Sequence, residues 1–136
     1  MYALMTSKSE EMYRQLFQSL NDFAEENNVE LRLLTIITDF ERAAIKASQR
    51  EFSDINNKRC FFHLSQSGWR KIQEVGLATQ YGVDEHLNLM LRHLFTLAFL
   101  PSDDIPDAFD ILKSAIPEVT NDVVKWFEEY YVHGKI

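Results

Sequence analysis

Apolar positions change their spacing twice along this chain. From Ser9 to Asn27, Met12, Leu16, Phe17, Leu20, Phe23 and Ala24 recur at the interval of one helical face. The pattern predicts a helix that stops at Asn27-Asn28. Leu31 to Ile37 is then nearly unbroken Leu and Ile with a β-branched tail, which predicts a strand covered on both faces, as in a parallel sheet. Phe40 to Phe52, with Ala43, Ala44 and Ala47, predicts a helix lying close on that sheet, and Arg59 to Phe62 predicts the next strand. With a short strand read at residues 2–6, the order is β-α-β-α-β. After His63 the period is helical throughout: segments 64–80, 85–100, 103–115 and 121–132 are separated by Tyr81-Gly82, Pro101-Ser102 and Pro117. Segment 85–100 is apolar nearly all round and is expected to be enclosed, whereas Ile105, Ala108, Phe109, Leu112 and Ile116 form a single stripe. The expected division is an α/β part over 1–63 and a helical block over 64–136, packed as one unit.

Size and charge narrow the class. With 136 residues, 46% of them apolar, the chain can bury a core of its own. Twenty-one acidic against 14 basic side chains give a formal charge of −7, so any DNA contact needs a local basic patch. One cysteine excludes an internal disulfide framework and suits a reducing compartment. The start, Met1-Tyr2-Ala3-Leu4-Met5-Thr6-Ser7-Lys8, leaves no room for a signal peptide, and Leu87–Leu100 is too short and too polar to span a bilayer. The expectation is an intracellular soluble protein.

The chemistry concentrates at two places. Asp39 ends the apolar run, a position where α/β proteins set a metal ligand or catalytic acid at the carboxyl end of a strand. The competing reading is a cap for the following helix, and on pattern alone it is the stronger. A Mg²⁺ or Mn²⁺ site needs at least one or two partner acids; the nearest, Glu41, is expected in the first helical turn, where negative charge favours the helix dipole. Cys60-x-x-His63 has the spacing of half a zinc site but no second pair. His86 and His93 stand two helical turns apart, about 10 Å, too far to share an ion. Cys60 therefore reads as a buried strand thiol and His63 as a strand-to-helix junction residue; no third group supports a Cys-His nucleophile.

Glu128, Glu129 and the cluster Asp103, Asp104, Asp107 and Asp110 read as helix surface or first-turn charge. Arg42, Lys46, Arg50, Lys58, Arg59, Arg70 and Lys71 can reach phosphates but read as solvated helix charges, and Trp69 and Trp126 as packing residues. No Gly-rich phosphate loop and no Gly-x-Ser-x-Gly elbow is present.

Tyr2-Ala3-Leu4-Met5-Thr6-Ser7-Lys8, Tyr13, Thr38-Asp39-Phe40-Glu41-Arg42-Ala43-Ala44, Cys60-Phe61-Phe62-His63-Leu64 and Trp69-Arg70-Lys71-Ile72-Gln73 together resemble the transposase domain of Mutator-like elements. Leu97-Ala98-Phe99-Leu100-Pro101 and Ile105-Pro106-Asp107-Ala108-Phe109 extend the resemblance, which is to the eukaryotic type often associated with FLYWCH zinc fingers. It implies a partial ribonuclease-H-like fold with a C-terminal helical insertion, in a family whose three acids hold two Mg²⁺ or Mn²⁺ ions for DNA strand cleavage and joining. Asp39 is similar to the second acid. Cys60 and His63 match the family's Cys-x-x-His signature, with a structural or DNA-positioning role. In relatives the first acid lies on a strand that would precede Met1, and the last follows the insertion; Glu128 and Glu129 match the end of the insertion instead.

The expectation is thus a fragment holding one ligand of three, with no tight metal binding, inactive alone, and with either a gap in its sheet or a sheet closed by pairing strands that were not neighbours. Its implied setting is the nucleus, its partner DNA, possible oligomers included. A domesticated DNA- or protein-binding module derived from a transposase is the alternative, and a small α/β regulator with Asp39 as a simple cap is the third reading.

Overall fold

The computed structural model describes residues 2–134, in two compact units that meet in sequence between Cys60 and Phe61. The protein is helix-rich, with one small parallel sheet of two strands.

The first unit runs α1 (Glu10–Glu26), β1 (Thr35–Thr38), α2 (Arg42–Glu51) and β2 (Asn56–Arg59). Ser9 begins α1 by accepting the Met12 N–H at 3.3 Å, and Glu10 and Glu11 place negative charge at its positive end. Asn27 and Asn28 end it: Asn28 adopts a positive φ of 54°, and Val29 N–H returns to Ala24 O at 2.8 Å. The two helices then pack through Phe17, Ala24, Ala44 and Ala47, all buried, and Phe17 meets Phe52 edge-on at 5.5 Å. Small alanines let the helices approach. Arg14–Glu51 at 2.8 Å and Arg50–Glu10 at 2.7 Å tie the same faces at their margins.

The sheet is smaller than the apolar pattern predicts. Residues 2–6 form no strand, and of the run 31–37 only Thr35, Ile36 and Ile37 enter a strand, Thr35–Thr38, which pairs in parallel with Asn56–Arg59, Ile36 opposite Asn57. β1 has a single neighbour along its edge, and it is not covered on both faces either: Ile37 is 66% exposed, and Leu34, just before the strand, 81%. The strand expected at Arg59–Phe62 is likewise displaced. Ladder bonds are made by the polar segment Asn-Asn-Lys-Arg, and Phe61 and Phe62 already belong to a helix.

Ser48, fully buried on α2, joins that helix to the sheet. Its Oγ lies 2.8 Å from Ile45 O and 2.7 Å from Asn57 Oδ1, yet a hydroxyl carries one proton, and Asn57 Nδ2 is buried without a partner. Turning the Asn57 amide over resolves both: Nδ2 donates to Ser48 Oγ, and Ser48 donates to Ile45 O.

The second unit contains α3 (Phe61–Glu74), α4 (Ala78–Val83), α5 (Glu85–Thr96), α6 (Ile105–Ala115) and α7 (Asn121–Phe127). Short 3-10 turns at Leu97–Phe99, Ser102–Asp104 and Glu118–Thr120 connect the later helices, and a π-helical turn, Glu128–Val132, prolongs α7. The stretch read as one helix over 64–80 is therefore two, broken at Gly76, whose φ of 79° favours glycine. Leu64, Ile72, Leu87, Leu91, Leu94, Phe109, Val123, Val124 and Phe127 form the core. Helix α5 is one-sided rather than enclosed, since Leu89, Arg92 and His93 are exposed opposite Leu87, Leu91 and Leu94. Asp84 caps it, accepting Leu87 N–H at 3.0 Å.

At Gly68 on α3, an added Cβ would lie 2.4 Å from Phe95 Cζ on α5. Glycine is what lets the Phe95 ring rest directly on the helix.

Candidate functional site

Asp39 follows the last residue of β1 and is half-buried. It does not cap α2. The N-cap residue is Glu41, in extended backbone (φ −84°, ψ 112°), and no side chain bonds the helix's first N–H groups. The capping explanation, the stronger one on pattern alone, is thereby removed, and Glu41 stands before the first turn rather than within it.

Glu41 is engaged elsewhere. Its Oε2 accepts the Tyr13 hydroxyl at 2.9 Å and Lys8 Nζ at 3.4 Å, so the loop between β1 and α2 is anchored to α1 and to the segment before it. Burial, the bond to Glu41 and the negative charges of Glu41 and Asp39 together push the Tyr13 phenol up to about 12. The Asp39 field thus reaches Tyr13. What this loop offers is two carboxylates, one already holding a phenol and an ammonium.

Cys60 N–H donates to Thr38 O at 2.8 Å, continuing the ladder one residue past β2; its thiol is free and half-buried, not enclosed in a strand. His63 is an exposed residue in the first turn of α3, with its ring 5.7 Å from that of Phe62. Glu128 is held in an ion pair, with Lys113 Nζ 2.7 Å from Oε2 and His133 Nε2 3.4 Å from Oε1. Bonding to Lys113 is the main cause that keeps its carboxyl below the usual glutamate range. Arg50 is paired with Glu10, and the Arg59 guanidinium lies over Phe40 at 5.4 Å. Trp126 is a packing residue among Tyr130 and Tyr131, but Trp69 is 40% exposed.

Among the described residues no group of three His, Cys, Asp or Glu side chains is placed to hold a metal ion. A two-metal centre requires a larger set of hard oxygen donors than Asp39 and a committed Glu41 supply, so the residues do not fit that cofactor, and no phosphoryl-transfer step is assigned to them. Sequence reasoning missed the Tyr13–Glu41 bond. Its one visible signal was Tyr13 itself, a polar-tipped aromatic on an otherwise apolar helical face.

Residues 1–67 match the family model described as MULE transposase domain, covering the whole first unit and the first half of α3. No curated protein and no solved structure matches the chain. The match supports a transposase-derived sequence; Trp69–Gln73 and Leu97–Phe109, which also carry the resemblance, lie beyond the matched residues. No described helix is long and apolar enough to cross a membrane.

Proposed function

We propose that this transposase-derived chain carries the second acid of a Mutator-like catalytic centre, Asp39, but performs no metal-dependent strand transfer by itself. In this reading the α-β-α-β order of the first unit is part of a ribonuclease-H-like core, and α3 to α7 belong to its helical insertion. The observation that carries it is the donor set: an acid at the end of β1 whose nearest acidic neighbour in sequence, Glu41, is bonded to Tyr13 and Lys8. The remaining ligands of a two-ion centre would come from polypeptide outside the described residues. DNA is the proposed partner, the nucleus the proposed setting, and Mg²⁺ or Mn²⁺ a weakly held ion. Cys60 and His63 have a structural or DNA-positioning role, and the FLYWCH-associated type is the proposed affiliation.

The test is calorimetric titration with Mn²⁺ alongside nicking of supercoiled DNA. Weak binding, no tighter than the order of 10⁻⁴ M, and no metal-dependent nicking are expected. Two tightly bound ions, or nicking abolished by Asp39→Asn, would overturn the reading.

A second reading, a binding module that has lost the chemistry, is favoured by the aromatic surface that Trp69 and Phe99 leave exposed. It expects Asp39→Asn to leave binding unchanged.

A further inference from the structure

The second unit contains a pocket of about 350 Å³ between α3, α4, α5 and the turn at Leu97–Phe99. Two aromatic pairs line it. Trp69 and Tyr81 have ring centroids 5.4 Å apart, and Phe61 and Phe99 4.5 Å apart. Phe95 contributes a further ring, held against α3 by the absence of a side chain at Gly68. The walls are consequently set by helix packing, although Trp69 is 40% and Phe99 69% exposed.

Three polar groups share this lining: the hydroxyls of Ser65 and Thr96 and the exposed guanidinium of Arg92. Thr96 donates to His93 O at 2.9 Å and keeps its oxygen lone pairs. Among the described residues, the Arg92 guanidinium makes no ion pair or hydrogen bond, in contrast to the ammonium groups of Lys71 and Lys113 in the same unit, which pair with Glu74 and Glu128. An aromatic side chain of a protein partner would fill the slot but leave the guanidinium and hydroxyls without partners. A planar heterocycle carrying an anionic group satisfies both halves, with the ring among the aromatic faces and the anion on the fork of Arg92. Acidic side chains outnumber Lys and Arg in this unit, which opposes the long phosphate track of a duplex but not one phosphate at one arginine.

We propose that this pocket binds a nucleotide unit, its base held by the aromatic pairs and its phosphate by Arg92. The same chemistry is presented by a free mononucleotide and by an unpaired terminal nucleotide of a DNA strand.

Trp69 is its own reporter in the full chain once Trp126 is replaced by Phe, and dAMP, deoxyadenosine, a short oligo-dT, a blunt duplex and an aromatic peptide are titrated against its fluorescence. Saturable quenching by dAMP or the oligonucleotide is expected, weakened about tenfold or more by Arg92→Gln, while the weaker binding of deoxyadenosine is unchanged by that variant. Equal site affinity for dAMP and the oligonucleotide assigns the free nucleotide; tighter oligonucleotide binding assigns a strand end. The proposal is overturned if neither quenches at millimolar concentration, if Arg92→Gln binds both as the parent does, or if only the duplex or the peptide saturates. Arg92 is solvent-exposed, so its replacement leaves the fold intact, and the comparison of dAMP with deoxyadenosine on the unsubstituted pocket tests the phosphate contact independently.

Discussion

The Tyr13 hydroxyl donates to Glu41 Oε2 at 2.9 Å across 28 positions of sequence, fastening the loop after β1 to helix α1. Its consequence is alkaline. The phenol is raised from 10.0 to about 12 in the folded chain, so its contribution to stability is complete below pH 10 and is lost as pH climbs towards 12. Tyr13→Phe should remove one late-titrating phenol from the near-ultraviolet phenolate absorbance curve and flatten the corresponding part of the stability profile. An unchanged titration curve would refute the assignment.

Gly68→Ala forces a methyl group into the space of the Phe95 ring, which lies 2.4 to 2.9 Å from that position and is itself buried. Overpacking of this kind costs about 1–3 kcal/mol. Urea denaturation should show the loss, whereas Gly82→Ala, with nothing within 4 Å of the added carbon, should show little.

Ser48→Ala removes the hydroxyl between Ile45 O and the Asn57 amide, both inside the first unit. A buried amide left without its partner costs about 1–3 kcal/mol. In a double-mutant cycle with Asn57→Ala, the two losses should be markedly less than additive, because each removes the same bond.

Lys113 and Glu128 form a partly exposed pair, so the stabilisation is modest, about 0.2–1 kcal/mol. The Glu128 carboxyl is lowered mainly by its bond to Lys113, and the benefit is therefore present at pH values above the ordinary glutamate range and disappears as pH falls through the lowered value. Thermal melts of Lys113→Met should lie below the parent at neutral pH and converge with it in acid.

The outward side of β1 also makes a prediction. Ile37→Lys replaces an exposed apolar side chain and should raise the concentration at which the chain remains unaggregated, measured by light scattering. Ile36→Lys, one residue away on the half-buried face, should destabilise the first unit instead.

Much of the helical structure was legible locally. Ser9 as the start of the first helix, Asn27-Asn28 as its stop, and the stripe ending in Phe109 and Ile116 depend on neighbours three or four residues away, which the chain itself supplies. The candidate site was legible only as a position. Asp39 stood out because it ends an apolar run, but whether it capped α2 depended on backbone geometry at Glu41, and Glu41 was claimed by Tyr13 from another element.

Strands lack that local closure. The apolar run at 31–37 expressed a capacity for burial, and its actual pairing was decided by Asn56–Arg59, a polar segment with no strand signature, while Phe61 and Phe62 were drawn into α3. The pocket shows the same division: Phe61, Ser65 and Trp69 are one helical stripe and Arg92, Phe95, Thr96 and Phe99 another. The sequence by itself determined most of the helical segments, the bounds of α1 and the chemistry available, because those follow from covalent spacing. Which faces meet, which carboxylate is already occupied and which arginine stays free were decided by tertiary packing alone, because hydrogen bonds and ring contacts depend on distances that only the folded chain brings within reach.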